Sequence, residues 1–200
     1  MAIVVEHDKR KHEILEKALE VFIEEGYEDV TFQKIADRCG ITRTTLYIYF
    51  KNKREIFLWS IKQLTSGIEV GLVSFIEDKK LTCEQCLRSM LKLIVDACEE
   101  NKKLFSILLS YLLTLQKTGG DPGLRVRRRL VRLQHLLSTV IIRGIKKNEF
   151  KPVSVKTANE MLYGLIQSAI FRLSVLDEKT IDDIRETLNM AVDGILKNNL

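Results

Sequence analysis

Only two prolines, at positions 122 and 152, occur in 200 residues. Ahead of the first of them, an occasional glycine is all that can interrupt a helix. Along the whole chain apolar residues recur with the 3.6-residue period of a helix, while strand-like alternation never persists. The chain is therefore predicted to be all-α. With 46% hydrophobic and 30% charged residues it has an ordinary globular composition, which excludes collagen-like, low-complexity and disulfide-scaffold classes.

Helix boundaries can be read from caps and glycines. A first helix spans about residues 7–25, with Ile14, Ala18, Val21 and Phe22 on one face, and ends at Gly26, where Tyr27 can close back on the last turn. Thr31 caps a second helix that stops at Gly40, and Thr42 caps a short third one reaching about Phe50. Asn52 and Glu55 form a capping-box pattern that opens a helix to about Asp78. Thr82 with Gln85 opens the next, to about Glu99, and an apolar helix covers about 104–117. After the Gly119-Gly120-Asp121-Pro122 turn a helix reaches about Asn148; Ser154 caps one to about Leu176 and Thr180 a last one to about Lys197. The sum is roughly nine helices. Residues 1–52 are expected to form a head and 53–200 a second domain.

The longest charge-free apolar stretch, Leu104 to Gln116, falls short of the roughly 20 residues of a membrane span. The N-terminus also lacks the pattern of a secretion signal. A cytoplasmic protein with no membrane partner is expected, its four cysteines (Cys39, Cys83, Cys86, Cys98) being thiols.

Charge is unevenly placed. Residues 1–29 carry nine acidic against four basic side chains, whereas residues 30–54 carry six basic against Asp37 alone. One acidic and one cationic face follow, and a cationic face suits a polyanion, nucleic acid first. The segment Thr31 to Phe50, TFQKIADRCGITRTTLYIYF, has the anatomy of a helix-turn-helix: a helix ending at glycine, an apolar plug (Ile41), then a short helix behind a hydroxyl cap. A recognition helix enters the major groove by its N-terminal end, which should be small, polar and cationic. Thr42, Arg43, Thr44 and Thr45 fit this requirement. Arginine can reach two acceptors of a guanine, and threonine can bond phosphate or touch a thymine methyl. Tyr47 and Tyr49 alternate with Leu46 and Phe50, so the tyrosines can face DNA while the others pack inward. Lys53 starts the next helix, whose amides also favour a phosphate. Helix-glycine-helix segments are nonetheless common in proteins that bind no DNA, and anatomy alone leaves both readings open.

The residues themselves go further. Thr31, Ile35-Ala36, Gly40-Ile41-Thr42, Leu46-Tyr47, Tyr49-Phe50 and Lys51-Asn52-Lys53 closely resemble the N-terminal region of the TetR family of bacterial transcriptional regulators. So does the preceding stretch with Ile14, Ala18, Phe22, Gly26 and Tyr27. The resemblance covers about residues 10–58; beyond it only helix number and order correspond. It implies a homodimer whose two heads enter successive major grooves of a near-palindromic operator in double-stranded DNA. Carried over by position, Arg43, Thr44 and Thr45 touch bases, while Thr31, Gln33, Tyr47, Tyr49 and Lys53 hold phosphates. Thr44 stands where many relatives have glycine, alanine or proline, so the base preference is not carried over.

In the second domain, Ile181, Ile184, Leu188, Ala191 and Ile195 repeat at three and four residues, the seam of a packed bundle. Gly164 and Ser168, flanked by Leu165, Ala169 and Leu173, permit close helix approach. Such stripes bury equally well in an internal core; the resemblance assigns them to a dimer interface. It also places a pocket for a small-molecule effector of unknown identity among the middle helices, with Phe75, Met90, Ile94, Cys98, Phe105, Leu109 and Tyr111 as wall candidates or as plain core. The uncharged helix bearing Phe105 and Tyr111 is expected to be enclosed.

Arg125, Arg127, Arg128, Arg129 and Arg132 crowd one helix start, where the macrodipole disfavours cations. They suit a solvated face, salt bridges to an acidic surface such as Glu99-Glu100, or an anionic contact. Cys83 and Cys86 lie in a helical pattern with no second pair or histidine to complete a metal site. No phosphate loop, nucleophile elbow or catalytic constellation is recognisable, so no enzyme and no cofactor are expected. The expected function is a dimeric DNA-binding regulator, a repressor released by its effector through the long helix that starts at Lys53. Two rivals are a helical small-molecule or lipid carrier that leaves its head unused, and an enzyme on an all-α scaffold.

Overall fold

The computed structural model describes residues 2–197, with side chains described over 6–121 and 131–197. Nine α-helices lie among them: α1 (Ala2–Glu25), α2 (Phe32–Cys39), α3 (Arg43–Tyr49), α4 (Lys53–Glu77), α5 (Cys83–Glu100), α6 (Lys102–Lys117), α7 (Pro122–Lys146), α8 (Val155–Ser174) and α9 (Asp182–Ile195). An isolated antiparallel bridge, Phe150 to Leu196, is the β pairing among the described residues. The chain divides into two compact units, Met1–Gly67 and Ile68–Leu200.

The first unit closes on the apolar face read from the sequence. Ile14, Ala18, Phe22, Ile35, Leu46, Phe50, Ile56 and Phe57 are all buried. Phe22 meets Phe57 edge-on with centroids 4.9 Å apart, and Tyr27 stacks back over Phe22 at 5.9 Å. Ser60 Oγ donates to Leu15 O at 2.9 Å inside this core, tying the start of α4 to α1. The α4 cap departs from the expected box by one residue. Glu55 N donates to Asn52 Oδ1 at 2.9 Å, but the Glu55 carboxylate accepts from Lys51 N at 2.7 Å. Both groups still satisfy amides that an open helix start would leave without partners.

The second unit is organised around α5, which opens on the expected Thr82–Gln85 capping box. It buries Cys83, Cys86, Leu87, Met90, Leu91, Ile94, Val95 and Cys98 against residues of α7, α8 and α9. Two arginines fasten its outer face to α9: Arg88 pairs with Glu84 at 2.9 Å and with Asp193, and Arg185 with Asp96 at 2.6 Å and with Glu99. Phe150 lies directly on Gly144 of α7, where any β-carbon would collide with its ring. The α9 helix begins later than expected, with Ile181 at the N-cap and no side-chain hydrogen bond there.

Among the described residues, the α6 helix is not enclosed. Leu104 and Tyr111 are buried, but Phe105, Ile107, Leu108 and Leu109 are half-exposed and Leu113 is 59% exposed. Three neighbouring helices cover one side of α6, and a helix that is apolar all round then leaves the other side bare. Among the described residues, no helix is long and apolar enough to cross a membrane.

Candidate nucleic-acid interface

The helix-turn-helix is set by its two caps and the glycine between them. Thr31 Oγ1 accepts from Lys34 N at 3.2 Å to start α2. Gly40 ends α2 at φ +66°, a left-handed conformation that glycine adopts without steric cost. Its N–H donates to Asp37 O at 3.1 Å and the Ile41 N–H to Ala36 O at 3.0 Å, the paired bonds of a Schellman turn. Thr42 Oγ1 then accepts from Thr45 N at 3.0 Å and starts α3. The two helices are thus fixed by backbone chemistry within three residues, before side-chain packing is counted. Leu46 and Phe50 seal α3 to the core, leaving Thr42, Arg43, Thr44, Tyr47 and Ile48 exposed.

The structure brings most of the sequence-derived candidates to this one surface, in different states of engagement. Arg43 Nη2 donates to Tyr47 Oη at 3.1 Å, and its guanidinium lies 5.6 Å from the Tyr47 ring centre. Tyr47 in turn packs on Phe32 at 4.6 Å, so arginine and tyrosine are held as one unit on α2. The hydroxyls of Thr42 and Thr45 share a hydrogen bond of 2.8 Å, and Gln33 Nε2 donates to Asp37 at 2.7 Å. Thr44 is exposed one turn ahead of Ile48, and Tyr49 is half-buried, stacked on His7 at 4.7 Å.

Lys53 is placed differently from the phosphate role the resemblance implies. Its ammonium donates to the carbonyl oxygens of Tyr27 (2.9 Å), Glu28 (2.8 Å) and Val30 (3.1 Å), so its three donors are spent holding the turn between α1 and α2. Ile48 is a surface residue that sequence reasoning passed over. At 70% exposure it stands apolar on the recognition helix. The signal was available: Leu46 and Phe50 point inward, so the residue midway between them must point out.

Part of the acidic face is neutralised from α2. Arg38 pairs with Glu20 at 3.4 Å and with Glu24, and Lys34 with Glu25 at 2.6 Å. The hydrogen bonds from Arg38 hold the Glu24 carboxyl below the usual carboxylate range.

In the second unit, five of the seven dimer-interface candidates are turned inward. Ala169, Leu173, Ile184, Leu188 and Ile195 are buried in the chain's own core, and Leu165 and Ala191 pack against it half-buried. The internal-core alternative is realised for these five, because α8 and α9 spend their regular apolar stripes on α5. A different stripe of α8 faces out: Met161, Gly164, Ser168, Phe171 and Val175, with Phe171 52% exposed and Ser168 half-buried. Of the effector-pocket candidates, Met90, Ile94, Cys98 and Tyr111 are buried, while Phe75, Phe105 and Leu109 are half-buried. A cleft of about 340 Å³ lies elsewhere, between α5 and α9, lined by Arg88, Lys92, Arg185 and Asn189 over Leu91, Val95 and Leu188.

Cys83 and Cys86 are buried free thiols. Burial pushes both thiols up in pKa. The side chains of Arg125, Arg127, Arg128 and Arg129 lie outside the described residues; Arg132 forms an ion pair with Glu69, not with Glu99.

Residues 14–58, the span from the α1 core face into α4, match the sequence model of bacterial regulatory proteins of the tetR family. Over nearly its whole length the chain is similar to the fatty acid metabolism regulator protein of Bacillus subtilis (strain 168), with 25% identity over 193 residues covering 92% of this chain and 94% of that protein. Its fold is that of a TetR transcription regulator from Haloarcula marismortui, with a TM-score of 0.78 at 22% identity, covering 95% of this chain and 100% of that one. It is also that of the regulator FadR from Bacillus subtilis solved with stearoyl-CoA, with a TM-score of 0.68 at 22% identity, covering 92% and 97%. The head, residues 14–58, is thus that of the bacterial tetR-family regulatory proteins, and the chain as a whole has the fold of a TetR transcription regulator.

Proposed function

We propose that this DNA-binding regulator is a homodimeric repressor whose release signal is a long-chain fatty acyl compound. The observation that carries the DNA reading is the exposed end of α3. There Arg43 and Tyr47 form a hydrogen-bonded pair beside Thr42, Thr44 and Thr45. A positioned guanidinium can address two acceptors of one guanine, and phenol and hydroxyl donors beside it suit phosphates. Ile48 adds an apolar surface of the kind that meets a thymine methyl.

Two features support the choice of effector. The relative from Bacillus subtilis is named for fatty acid metabolism, and the FadR neighbour was solved with stearoyl-CoA. The α6 helix, uncharged from Leu104 to Gln116 and half-bare, offers an apolar surface that an acyl chain would cover. The acyl compound would act by a population shift: DNA selects one separation of the two heads, and the acyl compound selects another that no longer matches the half-site spacing. Because α4 runs unbroken from Lys53 to Glu77, it is the element that carries the change. Coupling is reciprocal, so operator DNA must weaken acyl binding by the same factor.

The test is binding of the protein to duplex DNA from upstream of its own coding region, titrated across salt and then across acyl-CoA chain length. Sequence-preferring binding should weaken by roughly 10³-fold or more between 50 and 200 mM salt if about six to ten phosphates are held. Arg43→Ala should cost roughly 1–3 kcal/mol and relax the preference at one base position. Long-chain acyl-CoA should release the complex where coenzyme A alone does not. Equal acyl affinity with and without operator would sink the coupling, and weak binding to every duplex would sink the regulator.

A further inference from the structure

Beside the recognition helix, the outer turns of α1 and α4 gather unspent positive charge around one indole. Lys11 Nζ lies 4.6 Å from the Trp59 ring centre and Lys62 Nζ 4.3 Å from it. The same Lys11 ammonium is 5.4 Å from the ring of Phe50, the residue that closes α3. One turn earlier on α1, His7 stacks on Tyr49 at 4.7 Å with ring planes 26° apart. The start of α1 is thereby fastened to the end of α3 by two aromatic contacts, and the lysines hang on that frame.

Neighbouring charges on α1 are treated differently. Arg10 pairs with Glu13 at 3.1 Å and His12 with Glu16 at 3.3 Å. Among the described residues no carboxylate pairs with Lys11 or Lys62, although α1 is rich in acids. Two ammonium groups held at one ring repel each other, and a polyanion running alongside both offsets that repulsion. The indole holds both cations in place while leaving their N–H donors free, because cation–π contact uses the charge and not the hydrogens.

We propose that Lys11, Trp59 and Lys62, steadied by the His7–Tyr49 stack, grip the phosphate backbone of bound DNA beyond the bases that α3 reads. The patch is a sequence-independent clamp: it adds affinity and salt dependence while leaving base preference to Arg43 and its neighbours. It rests on the DNA reading of the head given above.

Trp59 is the sole tryptophan of the sequence, so its emission reports the patch directly. The experiment follows operator binding by fluorescence anisotropy of labelled duplex across salt, with Trp59 emission recorded in parallel. The proteins compared are wild type, Lys11→Gln with Lys62→Gln, and Arg43→Ala. Glutamine keeps the side-chain stems, and a thermal melt checks that the double variant folds. The log–log salt slope of the double variant should be shallower by about one to two, with affinity at 100 mM salt down roughly 3- to 10-fold on operator and random duplex alike. Trp59 emission should change on adding operator to wild type and not to the double variant. Two single variants added to the set, Lys62→Glu and Lys62→Gln, should differ, the glutamate losing more affinity. A double variant that binds with unchanged slope, while wild-type Trp59 is silent to operator, would overturn the clamp and leave the regulator standing. Wild type without sequence preference, indistinguishable from Arg43→Ala, would overturn the DNA reading and the clamp with it.

Discussion

Single residues in this protein are set by what their side chains have already spent. The Lys53 ammonium spends its three donors on carbonyl oxygens of the turn between α1 and α2. Arg43 is oriented by a single hydrogen bond to the Tyr47 phenol. Tyr47→Phe removes the hydrogen bond that orients Arg43, and should weaken operator binding by about 0.5–1.5 kcal/mol with the fold intact. Parallel titrations of Tyr47→Phe, Arg43→Ala and the double variant would reveal the coupling, the double losing less than the sum of the singles.

Cys98 shows the same logic in the core. Burial, with a smaller push from Glu99, raises its thiol to about 12 from an ordinary value of 9.0. The folded chain then keeps a proton that the unfolded chain gives up between those two values, so stability present below pH 9 is lost as pH rises toward 12. Melting temperature should fall with pH across that window, and the fall should be shallower in Cys98→Ala.

At the scale of elements, the caps explain the boundaries and close contacts explain the glycines that matter. Gly40 permits the left-handed turn before α3, and Gly144 makes room for Phe150 on α7. Gly144→Ala should destabilise the second unit by about 1–3 kcal/mol, because its β-carbon and the Phe150 ring claim the same space. Urea denaturation would show a lower midpoint at unchanged slope if the cost is packing alone. The nine helices were legible in the sequence to within a few residues, since Thr31, Gly40, Thr42, Thr82 and Ser154 are local signals that act through adjacent backbone groups. Thr180 misled because Ile181, fully buried, settles the start of α9 through packing rather than through a hydroxyl cap.

For the whole molecule, the proposed homodimer needs a surface that meets the second copy. The inward stripes of α8 and α9 belong to the core around α5, which leaves Met161, Gly164, Ser168, Phe171 and Val175 of α8 as the outward seam, at intervals of three and four residues. The small residues Gly164 and Ser168 would let a partner helix approach closely there. Phe171→Asp places a charge on that seam without touching the core. It should convert the dimer to monomer in sedimentation and weaken operator binding by 10-fold or more on the order-of-magnitude scale of a lost linked half-site. An unchanged sedimentation coefficient would move the interface elsewhere.

What the sequence by itself determined is local or periodic: helices, their caps, the helix-turn-helix and its cationic end, and the family to which the head belongs. These depend on backbone groups and neighbours a turn away, which the order of residues specifies directly. What only the tertiary structure decided is the choice among partners of equal chemistry. An apolar stripe such as Ile184, Leu188 and Ile195 has no marker for its own core or for a second copy. A lysine such as Lys53 has none for carbonyl oxygens or phosphate, and Lys11 and Lys62 lie far apart in sequence until α1 and α4 bring them to one indole. Hydrophobic attraction and salt-screened charge attraction act over a few ångströms and accept any partner of suitable polarity, so the folded arrangement assigns the partner.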